Sequence, residues 1–254
     1  MHPPLQPLFY YLWIAPHVLL AVILMLMIRR KLYKQFPVFL LYAGFEFFQF
    51  TVLLGVVIQH GSLSDERYKG AFALGTAISS ALRFGIIYEI FTEVFRNYDA
   101  LRELSKVLFR WATIILLLIG VALASTHGSS PDQFFVIVPT LCRTVGLMQC
   151  GLLMFLFLFS HYFALSWRNY AFGIGLGFGI LASWELANSA IRSQIAAPSY
   201  LLDYLGMATY HGCVLVWIFY LVAPERETHG PTKPTKKLPK DDLEVWNKEL
   251  QRLL

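Results

Sequence analysis

Residues 9–31 read FYYLWIAPHVLLAVILMLMIRRK: twenty residues without Asp, Glu, Lys or Arg, closed by Arg29, Arg30 and Lys31. At 1.5 Å per residue, twenty helical residues span about 30 Å, the thickness of a bilayer's hydrocarbon core. The stretch therefore reads as a membrane-crossing helix with a basic stop. The preceding MHPPLQPL has no positive region and no small-residue cleavage site follows, so this span is expected to stay as an anchor, not to be cut off as a leader.

Six more blocks of similar length follow. The seven crossings are placed at 9–29, 38–59, 71–95, 107–125, 134–161, 170–191 and 201–222. Alternation typical of a lipid-facing barrel strand is missing from these runs. The composition agrees, because 57% of the 254 residues are hydrophobic and only 15% are charged. A soluble domain carries about 25% charged residues to cover its surface. The expected fold is an all-α integral membrane protein, a seven-transmembrane-helix bundle.

Basic residues set the expected orientation. With the N-terminus outside and the C-terminus cytoplasmic, sixteen Lys and Arg fall on the inner side, and only Arg67, Lys69 and Arg192 fall outside. Cytoplasmic loops carry such an excess. The net charge of +5 thus reports topology and forms no nucleic-acid footprint. Tyr10, Tyr11 and Trp13 at the start of span one, and Tyr200 and Tyr204 at the start of span seven, suit the headgroup level.

Three regions result. Residues 1–223 form the transmembrane domain, with loops of roughly 8 to 12 residues that leave no room for an inserted domain. Residues 224–240, PERETHGPTKPTKKLPK, form a basic Pro/Lys-rich linker, expected to be extended and drawn to anionic lipid. Residues 241–254, DDLEVWNKELQRLL, read as an amphipathic cytoplasmic helix capped by Asp241 or Asp242, with Leu243, Trp246 and Leu250 on one face. Fourteen residues are marginal as an isolated helix. This one is expected to dock on the bundle, on lipid or on a protein partner.

Ionisable residues inside the spans carry the functional signal. A charge at mid-bilayer costs roughly 2.5–3.5 kcal/mol on insertion scales, so such residues face the bundle interior or a water-filled cavity. Arg83 lies twelve residues into span three, roughly 18 Å from its start, too deep to snorkel easily. Arg143, Glu185, His17, His211 and Asp203 fall at overlapping depths from the centre to the outer side. Arg83, Arg143, Glu185, His211, His17 and Asp203 are therefore the candidate ligand-binding residues. The two arginines would favour an anionic or carbonyl-bearing ligand. The alternative is that Arg83 and Arg143 merely fasten helices by pairing with Glu185, Glu46 or Asp203. Glu89 and Glu93, with Glu46 and Gln49, offer a weaker acidic cluster nearer the inner side. Pro16 and Pro139 occupy similar positions in spans one and five, as in parallel repeats of a transporter, but spans two and six lack a matching pair.

No motif fixes a reaction or a cofactor. His17, His161 and His211 lie at different depths and cannot readily converge on zinc, so no metal site is expected. No lysine lies inside a span to carry a Schiff-base pigment. Cys142, Cys150 and Cys213 lie within apolar segments without a Cys-x-x-Cys pair and read as buried small side chains. Gly173, Gly175, Gly177 and Gly179 make two overlapping small-xxx-small pairs, expected to pack closely on a neighbouring helix. The favoured reading is a membrane-embedded binding or sensory protein of the plasma membrane (the inner membrane in a bacterium), with an outward-facing polar cavity for a small ligand. The alternatives are a small-solute transporter, an accessory subunit of a larger membrane complex or a lipid-modifying enzyme.

Overall fold

The computed structural model describes residues 6–60, 66–95, 99–126, 134–159, 169–194 and 200–223. The loops at 61–65 and 127–133, residues 160–168 with His161, and the linker and helix expected at 224–254 lie outside the described residues. Among the described residues there are seven α-helices: α1 Gln6–Arg29, α2 Pro37–His60, α3 Glu66–Val94, α4 Asp99–Thr126, α5 Phe134–Phe159, α6 Tyr170–Gln194 and α7 Tyr200–Val222. Among the described residues there is no strand. Five helices (α1, α2, α3, α6 and α7) are long and apolar enough to cross a membrane.

The helix limits follow the apolar blocks with two exceptions. α3 starts five residues earlier than its block, and α4 begins at Asp99, eight residues before its own. The extra turns of α4 are polar, and Lys106 bonds Glu103 one turn back at 2.7 Å. Hydropathy marks where a helix can enter lipid, whereas its hydrogen-bonded length continues into water.

The arrangement is a ring with one helix outside. α1, α2, α3, α5, α6 and α7 pack in that order and close on each other, α3 also touches α6 across the middle, and α4 lies against α3 and α5. The two ends of the bundle are here called the Trp13 end, where α1 begins, and the Arg30 end, where it stops.

Tight packing is concentrated in the half nearer Arg30. Leu20, Ile23, Met27, Phe36, Phe39, Tyr42, Ile86, Ile90, Phe178 and Trp217 are all fully buried there. The Trp217 ring lies 4.8 Å from Phe178 and 5.4 Å from Phe39, and Tyr42 lies 5.2 Å from Phe178. Glycines let α6 approach its neighbours. A Cβ on Gly177 would sit 2.2 Å from Trp217 Nε1, and one on Gly173 would meet the Tyr220 ring, while Gly175 and Gly179 face Leu153 and Phe157 of α5. The two glycine pairs thus serve two helix seams within the chain, where dispersion contacts matter most because lipid offers no hydrophobic drive between helices. Trp217 Nε1 also donates to the Ile174 carbonyl at 3.2 Å.

Polar groups tie the Arg30 end. α2 begins with Pro37, whose fixed φ and missing N–H suit the first helical position. Phe36 before it has no oxygen with which to cap the next amides. Glu89 of α3 supplies both acceptors: Val38 N–H donates to Oε1 at 2.8 Å and Phe39 N–H to Oε2 at 3.0 Å. Glu93 accepts from Gln35 Nε2 at 2.8 Å. Arg30 donates to the Val222 carbonyl at 2.8 Å, placing a cation at the C-terminus of α7, where the helix dipole is negative.

Candidate functional site

Above the packed half, the helices do not close on one another. α1, α2, α3, α6 and α7 surround a cavity of roughly 330 Å³, toward the lower end of the ~300–1,000 Å³ typical of small-molecule sites. One face of α3 lines it along its length through Tyr68, Phe72, Thr76, Ser79 and Arg83. These steps of four, four, three and four keep one helix face directed inward over roughly 22 Å. The cavity therefore runs from the Trp13 end to mid-bundle.

Its deep end is polar. Arg83 Nη1 donates to Glu185 Oε1 of α6 at 2.5 Å, joining two helices that are separated in the ring by α5. Ser79 of α3 donates a short hydrogen bond to Glu46 of α2. The guanidinium carbon of Arg83 stands 6.0 Å from the centre of the Tyr42 ring, so Tyr42 separates the cavity from the packed core below. Arg83 Nε and the hydroxyls of Tyr42 and Tyr210 are buried without a hydrogen-bond partner among the described residues.

The upper walls are largely aromatic: Trp13, Phe50, Tyr68, Phe72, Trp184 and Tyr210. His17 stacks on Phe50 with ring centres 4.0 Å apart and an interplanar angle of 13°. Its Nδ1 bonds the Trp13 carbonyl at 2.8 Å. A carbonyl only accepts, so Nδ1 carries the proton, and in the neutral form of the ring Nε2 is the acceptor. Gly206 of α7 leaves room for Trp184, whose Nε1 lies 3.1 Å from where a Cβ would stand.

Three of the six candidate residues, Arg83, Glu185 and His17, line this cavity together, and the other three do not. Asp203 forms an exposed ion pair with Arg192 at 2.5 Å, fastening the end of α6 to the start of α7. His211 is half-buried, with its ring 5.9 Å from Tyr11 and its Nδ1 buried without a hydrogen-bond partner among the described residues. Arg143 is exposed. The inward face of α5 is marked by Gln149, Leu153 and Leu156, and at 100° per residue Arg143 stands roughly 120° away from Gln149. Two arginines converging on one ligand is therefore not the arrangement these helices make.

Glu46 and Gln49 belong to the cavity and not to a cluster with Glu89 and Glu93, whose carboxylates bond the segment that opens α2. Thr76, Ser79 and the aromatic lining were not singled out from the sequence. The repeat from Phe72 through Thr76 and Ser79 to Arg83 is the signal that points to them. Among the described residues no group of His, Cys, Asp and Glu could hold a metal ion.

No family model, no curated protein and no solved structure matches this chain.

Proposed function

We propose that this chain is a membrane-embedded binding or sensory protein that takes a small ligand into the cavity above Arg83 and Glu185. One observation carries the reading: a deep, mid-span ion pair adjoins a void instead of being sealed by packing. A purely structural clamp would be enclosed by side chains, as Trp217 and Phe178 are. An apolar-walled cavity with a few convergent polar groups is the usual form of a small-molecule site.

In this reading all seven helices cross the bilayer of the plasma membrane, with the N-terminus outside and the C-terminus in the cytoplasm. The excess of Lys and Arg on one side supports that orientation. The Trp13 end then faces outward, and so does the mouth of the cavity. The basic linker and the 241–254 helix lie at the cytoplasmic surface, where the helix meets lipid or a protein partner.

The test is native mass spectrometry of protein extracted in mild detergent, comparing the unaltered chain with Thr76→Phe, which fills the cavity. A small molecule retained by the former and lost from the latter is the expected result. Equal retention by both, or none by either, would remove the proposal.

A further inference from the structure

We infer that the ligand of this cavity is a small organic amine, bound as its ammonium ion against Glu185 and Glu46 with its apolar body among the aromatic rings. The inference rests on the binding reading above and specifies the ligand's chemistry.

Two carboxyl groups, those of Glu46 and Glu185, line the cavity with one guanidinium, that of Arg83. That guanidinium is already engaged by Glu185. The two partners are also unequally accessible, since the Glu185 side chain is 39% exposed and the Arg83 side chain 15%. A molecule entering the void thus meets the acid more readily than the base. His17 in its neutral form adds a further acceptor, because its Nδ1 proton is committed to the Trp13 carbonyl and Nε2 is then free of a proton. A ligand that supplies N–H donors and positive charge satisfies these groups, whereas an anion would have to share Arg83 with Glu185 and lie beside the second carboxyl group, that of Glu46.

The walls agree with this choice. Trp, Tyr and Phe faces attract cations through their ring quadrupole, and more strongly where water is excluded. Six such rings line the same cavity.

The experiment uses the full-length protein in lipid nanodiscs, titrated with phenethylammonium, 2-phenylethanol and phenylacetate. These share a shape and differ in charge. Calorimetry should show the ammonium binding at least about tenfold more tightly than either analogue. Glu185→Gln should abolish that preference while 2-phenylethanol binding persists. Glu46→Gln should reduce the preference too, and it leaves the Arg83–Glu185 pair in place should Glu185→Gln fail to fold. Phenylacetate or 2-phenylethanol binding as tightly as the ammonium would overturn the amine assignment and leave the cavity reading intact. Preference for the ammonium undiminished in both variants would overturn it as well. Absence of binding by all three at about 10 mM would remove the amine assignment, and the retention experiment above then decides the cavity reading separately.

Discussion

Arg83 of α3 and Glu185 of α6 meet at 2.5 Å although 102 residues separate them in sequence. They bridge two helices that are not neighbours in the ring. Removing one partner leaves the other charged and poorly solvated, which costs about 3–5 kcal/mol in a fully buried pair. Glu185 is partly exposed here, so Arg83→Met is expected to destabilise by a smaller amount, about 2 kcal/mol. The double variant Arg83→Met with Glu185→Leu should recover most of that loss, because buried pairs are replaced by apolar side chains at little net cost. Thermal unfolding of the two single variants and the double variant in one detergent checks this. Additive losses would show that the pair is not coupled.

Glu89 accepts the first two free amides of α2 from across a helix seam. Glu89→Ala should therefore act like removal of a helix cap and cost about 1–2 kcal/mol. Glu89→Gln keeps one acceptor and should lose less. Hydrogen exchange at Val38 and Phe39 reports the effect directly, and unchanged protection in Glu89→Ala would contradict it.

Gly177 and Gly212 make a matched comparison. A Cβ on Gly177 strikes Trp217, a ring that is fully buried and hydrogen-bonded to Ile174, so it cannot swing aside. Gly177→Ala should destabilise by about 1–3 kcal/mol through overpacking. At Gly212 nothing lies within 4 Å of an added Cβ. Gly212→Ala should be neutral or stabilise by up to ~1 kcal/mol, since alanine loses less backbone freedom in a helix. Denaturation midpoints rank the two variants, and equal values would contradict the account of the α6–α7 seam.

The proposed orientation predicts which segments an impermeant thiol reagent reaches in intact cells. With Cys142, Cys150 and Cys213 replaced by Ala, a cysteine at Ser64 should label from outside. One at Lys237 should label only after the membrane is opened. The reverse pattern would invert the topology and turn the cavity mouth toward the cytoplasm.

Truncation after Pro239 removes the amphipathic segment and leaves the bundle. Membrane insertion should persist, and loss of a protein that co-purifies with the full chain would assign the segment to a protein partner. If none is lost, the segment does not hold a protein partner.

The helices themselves were legible because lipid thickness imposes a length that composition reveals, as in residues 9–28. The depth of Arg83 was legible too, since it follows from counting residues along one span. Its partner was not. Glu46, Glu185 and Asp203 all had suitable depth, and the choice among them depends on which helices adjoin. That order, with α4 outside the ring, leaves no periodic trace in the chain. Arg143 shows the same gap. Its depth in span five matched that of the other candidates, yet the inward face of α5 is centred on Gln149 and Leu153, and depth alone does not reveal which edge of a helix faces inward. The capping role of Glu89 was not legible for another reason, because capping from a separate helix has no local signature.

The uneven filling of the barrel of helices has a mechanical consequence. The rings around Trp217 fill the Arg30 half, so in the proposed reading a change in what occupies the hollow half would be taken up by the ends of α1, α2 and α3 and by the α6–α7 pair that Arg192 and Asp203 tie together. Small adjustments near Trp13 would then produce little travel below Tyr42, and in the proposed sensory reading a signal to the Arg30 end would have to pass as a movement of whole helices and not as a local repacking.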